Sequence, residues 1–300
     1  MTDTAADEHG QIETAAATAA AGVAASGVRD HVLVLPSVIC TTLVARRVAR
    51  RAGAVAISHQ DGCGHIGDDV DHSLDLLAAL ATNPNVSATL VLSLGCETVQ
   101  GASLADRVAK RGGQVELVRL QDHGAAGVEE AALERVAALR TLHSRGRSTL
   151  APSQLRIGIL ADRSDDLVER FVSSRTRPAS TVVAGTAAPT LGSGAAADLI
   201  AAPAANAMQR LAALAAAGAH VIVAFPAAGD PPQSLALCPT LTVASASGLH
   251  ADLSDDFDLP GGATAEAIWS LVAEVAAGRQ TAAERLGLDD FSLPRLRRTM

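Results

Sequence analysis

Three cysteines stand where apolar runs give out: Cys40 after HVLVLPSVI, Cys63 after AVAISHQDG and Cys96 after ATLVLSLG. Thiolates are ligands for soft and borderline metals, and His59 and Glu97, close to two of them, add an imidazole and a carboxylate. That set of groups can hold a cation or move a proton. In an open parallel α/β sheet the ligand crevice lies just beyond the carboxyl ends of the strands. If the three apolar runs are such strands, their thiols share one crevice.

The stretch HQDGCGHIGDD (residues 59–69) carries the densest chemistry. Gly62, Gly64 and Gly67 allow tight backbone near a ligand. His59, Cys63, His65, Asp68 and Asp69 offer ligating or acid–base groups. A polar strand-to-helix loop capped by Asp68 or Asp69 accounts for the same residues about equally well, and His65 and Asp69 keep that structural reading. In LGCETVQGAS (94–103) a thiol and a carboxylate again end a strand, where burial without a partner is costly. Alone, Cys96 reads as a small packed hydrophobe and Glu97 as a solvated acid. Cys40 is the weaker case, because Thr41 or Thr42 caps the helix that follows it. Gln121, Asp122 and His123 end a fourth strand and so face the same crevice. Cys238, before a proline, reads as structural. Agreement among independent strand ends is what favours a site.

The elements that would position these residues are legible from apolar periodicity. Strands are expected at 31–36, 54–59, 88–94, 114–120 and 155–160, then at 181–184, 220–225 and 240–244. Most are continuous apolar runs, as strands covered on both faces should be. Helices are expected at 41–52, 70–81, 103–111, 127–143, 165–172, 204–217, 264–277 and 281–286. Thr264 and Gly278 are the expected caps of the long late helix. Alternation of strand and helix predicts open, mainly parallel sheets with helices on both faces, in two Rossmann-like lobes. The polar segment 144–153 reads as a linker between lobes at 27–145 and 154–300, and the Ala- and Thr-rich residues 1–26 as a disordered arm. Residues 173–194 give little secondary-structure signal.

Composition sets the limits. Of 300 residues, 48% are hydrophobic but only 2% aromatic, so the core must be built from Ala, Val, Leu and Ile. The net charge of −8, from 24 basic and 32 acidic residues, argues against nucleic acid or an anionic membrane as partner. No apolar run reads as a membrane span, and the N-terminus lacks the basic and Leu-rich regions of a secretory signal. Four cysteines without paired short spacings suggest reduced thiols and a cytoplasmic protein. There is no P-loop, no GxGxxG in the first strand-to-helix turn and no GxSxG elbow, so nucleotide chemistry and serine hydrolysis are poorly supported.

The order and spacing of GVRDHVLVLPSVICTTLVARRVA, HQDGCG, NPNVSATLVLSLGCETVQG and VELVRLQDHG resemble the altronate/galactarate dehydratase family. The similar region is its large catalytic part, which also serves as the large subunit of sulfolactate sulfo-lyase. GAHVIVAFPAAGDPPQSLALCPTLTVAS and the tail after it resemble the family too, so most of 27–288 is covered. The resemblance implies a metal-dependent lyase that removes water from a sugar acid or related small hydroxy-acid. A base would take the proton α to the carboxylate, and a metal would stabilise the enediolate and assist the leaving group. Ferrous iron is the implied metal, with manganese or magnesium as alternatives and an iron–sulfur cluster as a further arrangement. The implied metal ligands are Cys40, His59, Cys63 and Cys96. The implied catalytic residues are His59, Glu97, Gln100 and Asp122, and Gln60, Gln121, Arg163, Ser164 and Asp165 would bind substrate.

The sequence also departs from the family. Where members carry Cys-Gly-Gly-Ser-Asp, this chain has Ala161, Asp162, Arg163, Ser164 and Asp165. Arg163 could clamp a carboxylate or fill the pocket. Much of the family's middle section is missing, and so is the small N-terminal domain, which a separate small subunit would then supply. The competing reading is a degenerate homologue that binds a ligand or that subunit without catalysis. The Ala-rich surface leaves room for a homo-oligomer.

Overall fold

A computed structural model describes residues 12–15, 27–150, 154–163, 165–173, 180–184, 197–199, 206–245 and 252–294. Two parallel sheets form its frame. In the first lobe, β2 (His31–Pro36), β3 (Val55–Ala56), β4 (Val86–Ser93) and β5 (Val115–Arg119) line up in the order β3-β2-β4-β5. Helices α1 (Ile39–Ala52), α2 (Asp68–Ala81), α3 (Gly101–Lys110) and α4 (Leu120–His143) connect and follow them. Every residue of β4 is buried between the two neighbours β2 and β5, which fits its mainly apolar sequence VSATLVLS, in which only Ser87, Thr89 and Ser93 are polar.

The second lobe repeats the scheme with β7 (Arg156–Ala161), β8 (Ser180–Ala184), β9 (Ala197–Leu199), β10 (Val221–Phe225) and β11 (Thr240–Thr242) in the order β11-β10-β7-β8-β9. Its helices are α5 (Asp166–Ser173), α6 (Ala207–Ala216), α7 (Ala265–Ala276) and α8 (Ala282–Leu286). Asn206 and Gln209 form a capping box at the start of α6, and Thr264 caps α7 as expected. The α/β class with parallel sheets is as the sequence implied.

Two expectations are corrected. Ile12–Ala15, inside the arm read as disordered, forms β1 and pairs antiparallel with β6 (Arg147–Leu150), inside the segment read as a linker. Both strands are four residues long and largely polar, so neither shows an apolar period. Helix α4 also begins seven residues before the expected position: Gly124, at φ 70°, joins a first short helical piece to the rest. Gln121 and Asp122 therefore sit on a helical turn rather than at a strand end.

One apolar cluster joins the lobes. Leu33, Leu35 and Leu77 of the first lobe pack in the same cluster as Leu160, Leu214 and Ile222 of the second. Fully burying a leucine contributes roughly 2 kcal/mol, so this shared core is a main stabilising element. Asn83 and Asn85 add polar ties: Asn83 Nδ2 donates to the carbonyls of Ala215 (2.8 Å) and Ala219 (3.0 Å), and Asn85 Nδ2 to that of His220 (3.0 Å).

Candidate active site

In the first sheet the chain leaves β2 for β3 on one side and later returns to β4 on the other. The carboxyl ends of β2 and β4 therefore form the topological switch point, where loops diverge and leave a crevice. Ser37 to Cys40 follow β2, and Gly95 to Gln100 follow β4. The loop 57–67 after β3 leans over both. Its backbone is stitched in place: Ile39 N donates to Asp61 O (2.9 Å), and Thr98 N and Val99 N both donate to Gly62 O (3.1 Å). Gly62 has φ 101° and lies so close to Val38 that a Cβ would sit 2.6 Å from its Cα. This position needs glycine on both counts.

Glu97 is the centre of the crevice floor, 1% exposed. Its Oε2 accepts from Gly95 N (2.6 Å), and its Oε1 from Ser37 Oγ (2.8 Å) and Gly101 N (3.4 Å). Burial alone would raise its pKa, but donated hydrogen bonds from backbone amides and Ser37 outweigh it and hold the carboxyl below the ordinary range. Glu97 is thus an ionised anchor for the β2 and β4 loops. Ser37 was not anticipated from sequence. A serine just ahead of a helix reads as a cap, yet here it serves the carboxylate. Gln100 Nε2 donates to the Glu97 carbonyl.

His59 is 3% exposed. Its Nε2 lies 2.7 Å from Pro36 O, which can only accept, so Nε2 carries the proton. Nδ1 then accepts from Asp61 N (3.3 Å). Burial lowers its pKa, keeping the ring neutral. The edge of Phe291, from the chain's C-terminal segment, packs against it with centroids 6.3 Å apart. With both nitrogens engaged, His59 pins its loop to β2, and in this arrangement neither nitrogen is open to a metal or a substrate proton. His65 keeps a similar structural place, its Nδ1 2.9 Å from Ser73 Oγ.

Cys40, Cys63 and Cys96 are all exposed, as unpaired thiols. The Cys63 thiol is pushed up first by partial desolvation and then by Cys40, Cys96 and Glu97, so these three groups lie within electrostatic reach of Cys63. They suit the donor chemistry of iron or another borderline metal. His59 and Glu97 do not fit as further ligands, because their lone pairs are engaged. Among the described residues no three His, Cys, Asp or Glu side chains are gathered closely enough to hold a metal ion. Cys238 is fully buried, with Sγ donating to Ala219 O and His220 O (both 3.4 Å), and is structural as expected.

The other expected residues divide. Gln60 and Gln100 are exposed at the two loops. Gln121 lies over Gly95, whose φ of 121° and missing Cβ make room for its amide. Asp122 is displaced: 59% exposed on the short turn before Gly124, it pairs only loosely with Arg119 at 3.8 Å. Arg163 is committed internally, bonded to Asp165 (2.8 Å) with its guanidinium 5.6 Å from the Phe225 ring centroid. The other oxygen of Asp165 accepts from Val168 N (3.0 Å) and caps α5. Ser164 lies outside the described residues.

Comparison with known proteins bears on this geometry. Residues 23–143 match the family described as D-galactarate dehydratase/altronate hydrolase, second domain. The matching segment holds every loop of the crevice. The altronate dehydratase of Bacillus subtilis (strain 168) is 28% identical over 155 residues, which is 47% of this chain and 30% of that protein. The altronate dehydratase of Escherichia coli (strain K12) is 33% identical over 91 residues, 27% of this chain and 18% of that protein. Over this segment the chain is similar to the altronate/galactarate dehydratase family, and it aligns with less than a third of the length of either relative.

Proposed function

We propose that the chain is a hydro-lyase of dehydratase type acting on a sugar acid or related small hydroxy-acid. One observation carries the reading: the segment that matches the family brings three exposed thiols to the switch point of its own sheet. A polyhydroxy acid would lose its proton α to the carboxylate to a base. The electron pair would form the C2–C3 double bond, and the C3 hydroxyl would leave as water. The enol then tautomerises to a 2-oxo-3-deoxy acid.

This chain's residues supply position more than acid–base power. Glu97 and Ser37 hold the β2 and β4 loops in register, and His59 holds the β3 loop. Gln60, Gln100 and Gln121 are exposed amides suited to hydroxyl and carboxylate oxygens. Cys40, Cys63 and Cys96 are not gathered closely enough in this arrangement to hold a metal ion and would have to draw together on one; a divalent metal bound there, ferrous iron among the candidates, would act as a Lewis acid. A separate small subunit or a second copy of the chain is a candidate partner of this crevice.

The test is a panel of sugar acids, altronate and galactarate included, incubated anaerobically with iron, manganese or magnesium, with and without a small-domain polypeptide from a relative. The 2-oxo acid product is read as its semicarbazone. We expect product from at least one substrate and its loss in Cys96→Ala, with iron content falling in parallel. A folded, metal-loaded protein that yields no 2-oxo acid from the whole panel refutes the proposal.

A further inference from the structure

A short stretch after α8 crosses from the second lobe to the crevice of the first. Residues 288–294 have no regular structure. Asp290 clips them to the loop after β10: its N donates to Ser234 O (2.6 Å), and its Oδ2 accepts from Ser234 N (3.2 Å). Leu293 is buried in the apolar cluster shared by the lobes, and its carbonyl accepts from Gln209 Nε2 of α6 (3.3 Å). Between these two anchors Phe291 packs against the same cluster and meets the His59 ring. An interplanar angle of 68° at 6.3 Å makes the two rings an edge-to-face pair.

That contact falls where the sheet stops supporting the loop. β3 pairs with β2 only through Val55 and Ala56, opposite Leu33 and Val34. β2 runs on to Pro36, so the loop 57–67 has no ladder along the last two residues of that strand. The His59 side chain stands in for it, with Nε2 donating to Pro36 O, while Thr42 Oγ1 donates to the His59 carbonyl (3.2 Å). The first of these bonds hangs on a ring that must keep one orientation and stay dry, because water competes for both the N–H and the carbonyl. Phe291 covers that ring. The loop it secures carries Cys63 and offers Gly62 O to Thr98 N and Val99 N, beside Cys96.

We propose that Phe291 is a positioning residue of the first-lobe crevice: seated by the second lobe, it fixes the His59 ring on Pro36 O and with it the loop that presents Cys63. Its place in catalysis rests on the hydro-lyase reading; its hold on the loop does not. The segment that matches the family, residues 23–143, then does not set its crevice alone.

The experiment is NMR with hydrogen exchange on the full chain, with Phe291→Ala, Phe291→Leu and Leu139→Ala beside the parent. Leu139 lies in a separate apolar cluster of the first lobe, so its truncation weakens the fold without touching the crossing segment. The parent should show a slowly exchanging His59 Nε2 proton. In Phe291→Ala that signal should vanish, and the Thr98 and Val99 amides should exchange about tenfold faster, the worth of one aromatic contact. Phe291→Leu restores apolar cover and should keep the ring proton, and Leu139→Ala should keep both the proton and the loop protection. Should Phe291→Ala fail to fold, Asp290→Ala, which unclips the same segment from Ser234, must give the same two losses. The proposal is overturned if the parent lacks the ring proton, if Phe291→Ala keeps it, or if Leu139→Ala loosens the loop as much. These losses in a parent protein that forms no 2-oxo acid would support the positioning role and refute the hydro-lyase reading alone.

Discussion

Replacing Asn85 should uncouple the two lobes. The side chain is fully buried. Its Oδ1 accepts from Val28 N (3.0 Å) and Arg29 N (3.2 Å), and its Nδ2 donates to His220 O (3.0 Å) and, at the long limit, to Leu237 O (3.5 Å). Asn85→Ala leaves the Val28 and Arg29 amides without an acceptor and removes one donor from the His220 carbonyl, which keeps Cys238 Sγ. At about 1–3 kcal/mol for each orphaned amide the loss should be about 2–6 kcal/mol. Against a total of roughly 5–15 kcal/mol for an ordinary domain, that is a large share. Urea denaturation followed by far-ultraviolet circular dichroism would read it as a fall in midpoint, with a shallower slope if the lobes begin to melt separately. Asn85→Asp is the sharper probe. It keeps the size and one acceptor but turns an oxygen toward the His220 carbonyl. The carboxyl should have a raised folded-state pKa, so the variant should be most stable below the ordinary carboxylate range and weaken as the pH rises through the folded value. An Ala variant within about 1 kcal/mol of the parent, or an Asp variant indifferent to pH, would show that Asn85 does not tie the lobes together.

Further outcomes follow from the site and the shared interface. Ellman's reagent should titrate Cys40, Cys63 and Cys96 in the native protein and Cys238 only after denaturation; rapid reaction of all four would contradict the buried place of Cys238. Glu97→Ala orphans the Gly95 amide and leaves the Ser37 hydroxyl only its 3.4 Å bond to the Leu92 carbonyl, and should cost about 1–3 kcal/mol, whereas Glu97→Gln should cost less. Because the Glu97 pKa is depressed, the parent's advantage over Gln should be present at neutral pH and disappear as the pH falls through the folded-state value, checked by melting temperature against pH. His31 is half-buried, and desolvation lowers its pKa from 6.5 to about 4, so the fold should lose up to about 3 kcal/mol as the pH drops from 6.5 to 4. Asp289 runs the other way: burial raises it from 3.8 to about 6, so stability should fall by up to about 3 kcal/mol as the pH rises from 3.8 to 6. Asp289→Asn should therefore stabilise the protein at pH 7 while leaving pH 4 nearly unchanged, and a variant with no gain at pH 7 would refute that account.

The sequence showed the sheets well because both-face burial makes β10 a continuous apolar run and β4 a mainly apolar one. It showed the three thiol positions for the same reason, since each follows such a run. It did not show what surrounds them. The roles of Glu97 and His59 depend on Ser37, Gly95, Pro36 and Asp61, whose contributions come from a hydroxyl and backbone atoms that carry no residue-type signature. Phe291 reaches His59 from 232 positions away, a contact no local pattern encodes. Asp122 was misplaced because the short helical piece before Gly124 looks like the tail of a strand. Arg163 and Asp165 satisfy each other, which spacing alone could not distinguish from a ligand clamp.

The apolar cluster that runs through both lobes has a consequence for ancestry and for engineering. The segment matching the family ends at residue 143, close to where the first lobe ends. The core does not end there, because α2 lays Leu77 against Leu214 and its neighbours on α6. Descent and cohesion thus divide this chain at different places. A fragment cut at the inherited boundary would present a raw leucine face to water, and a chimera that grafts this module onto another protein would succeed only with a replacement for α6.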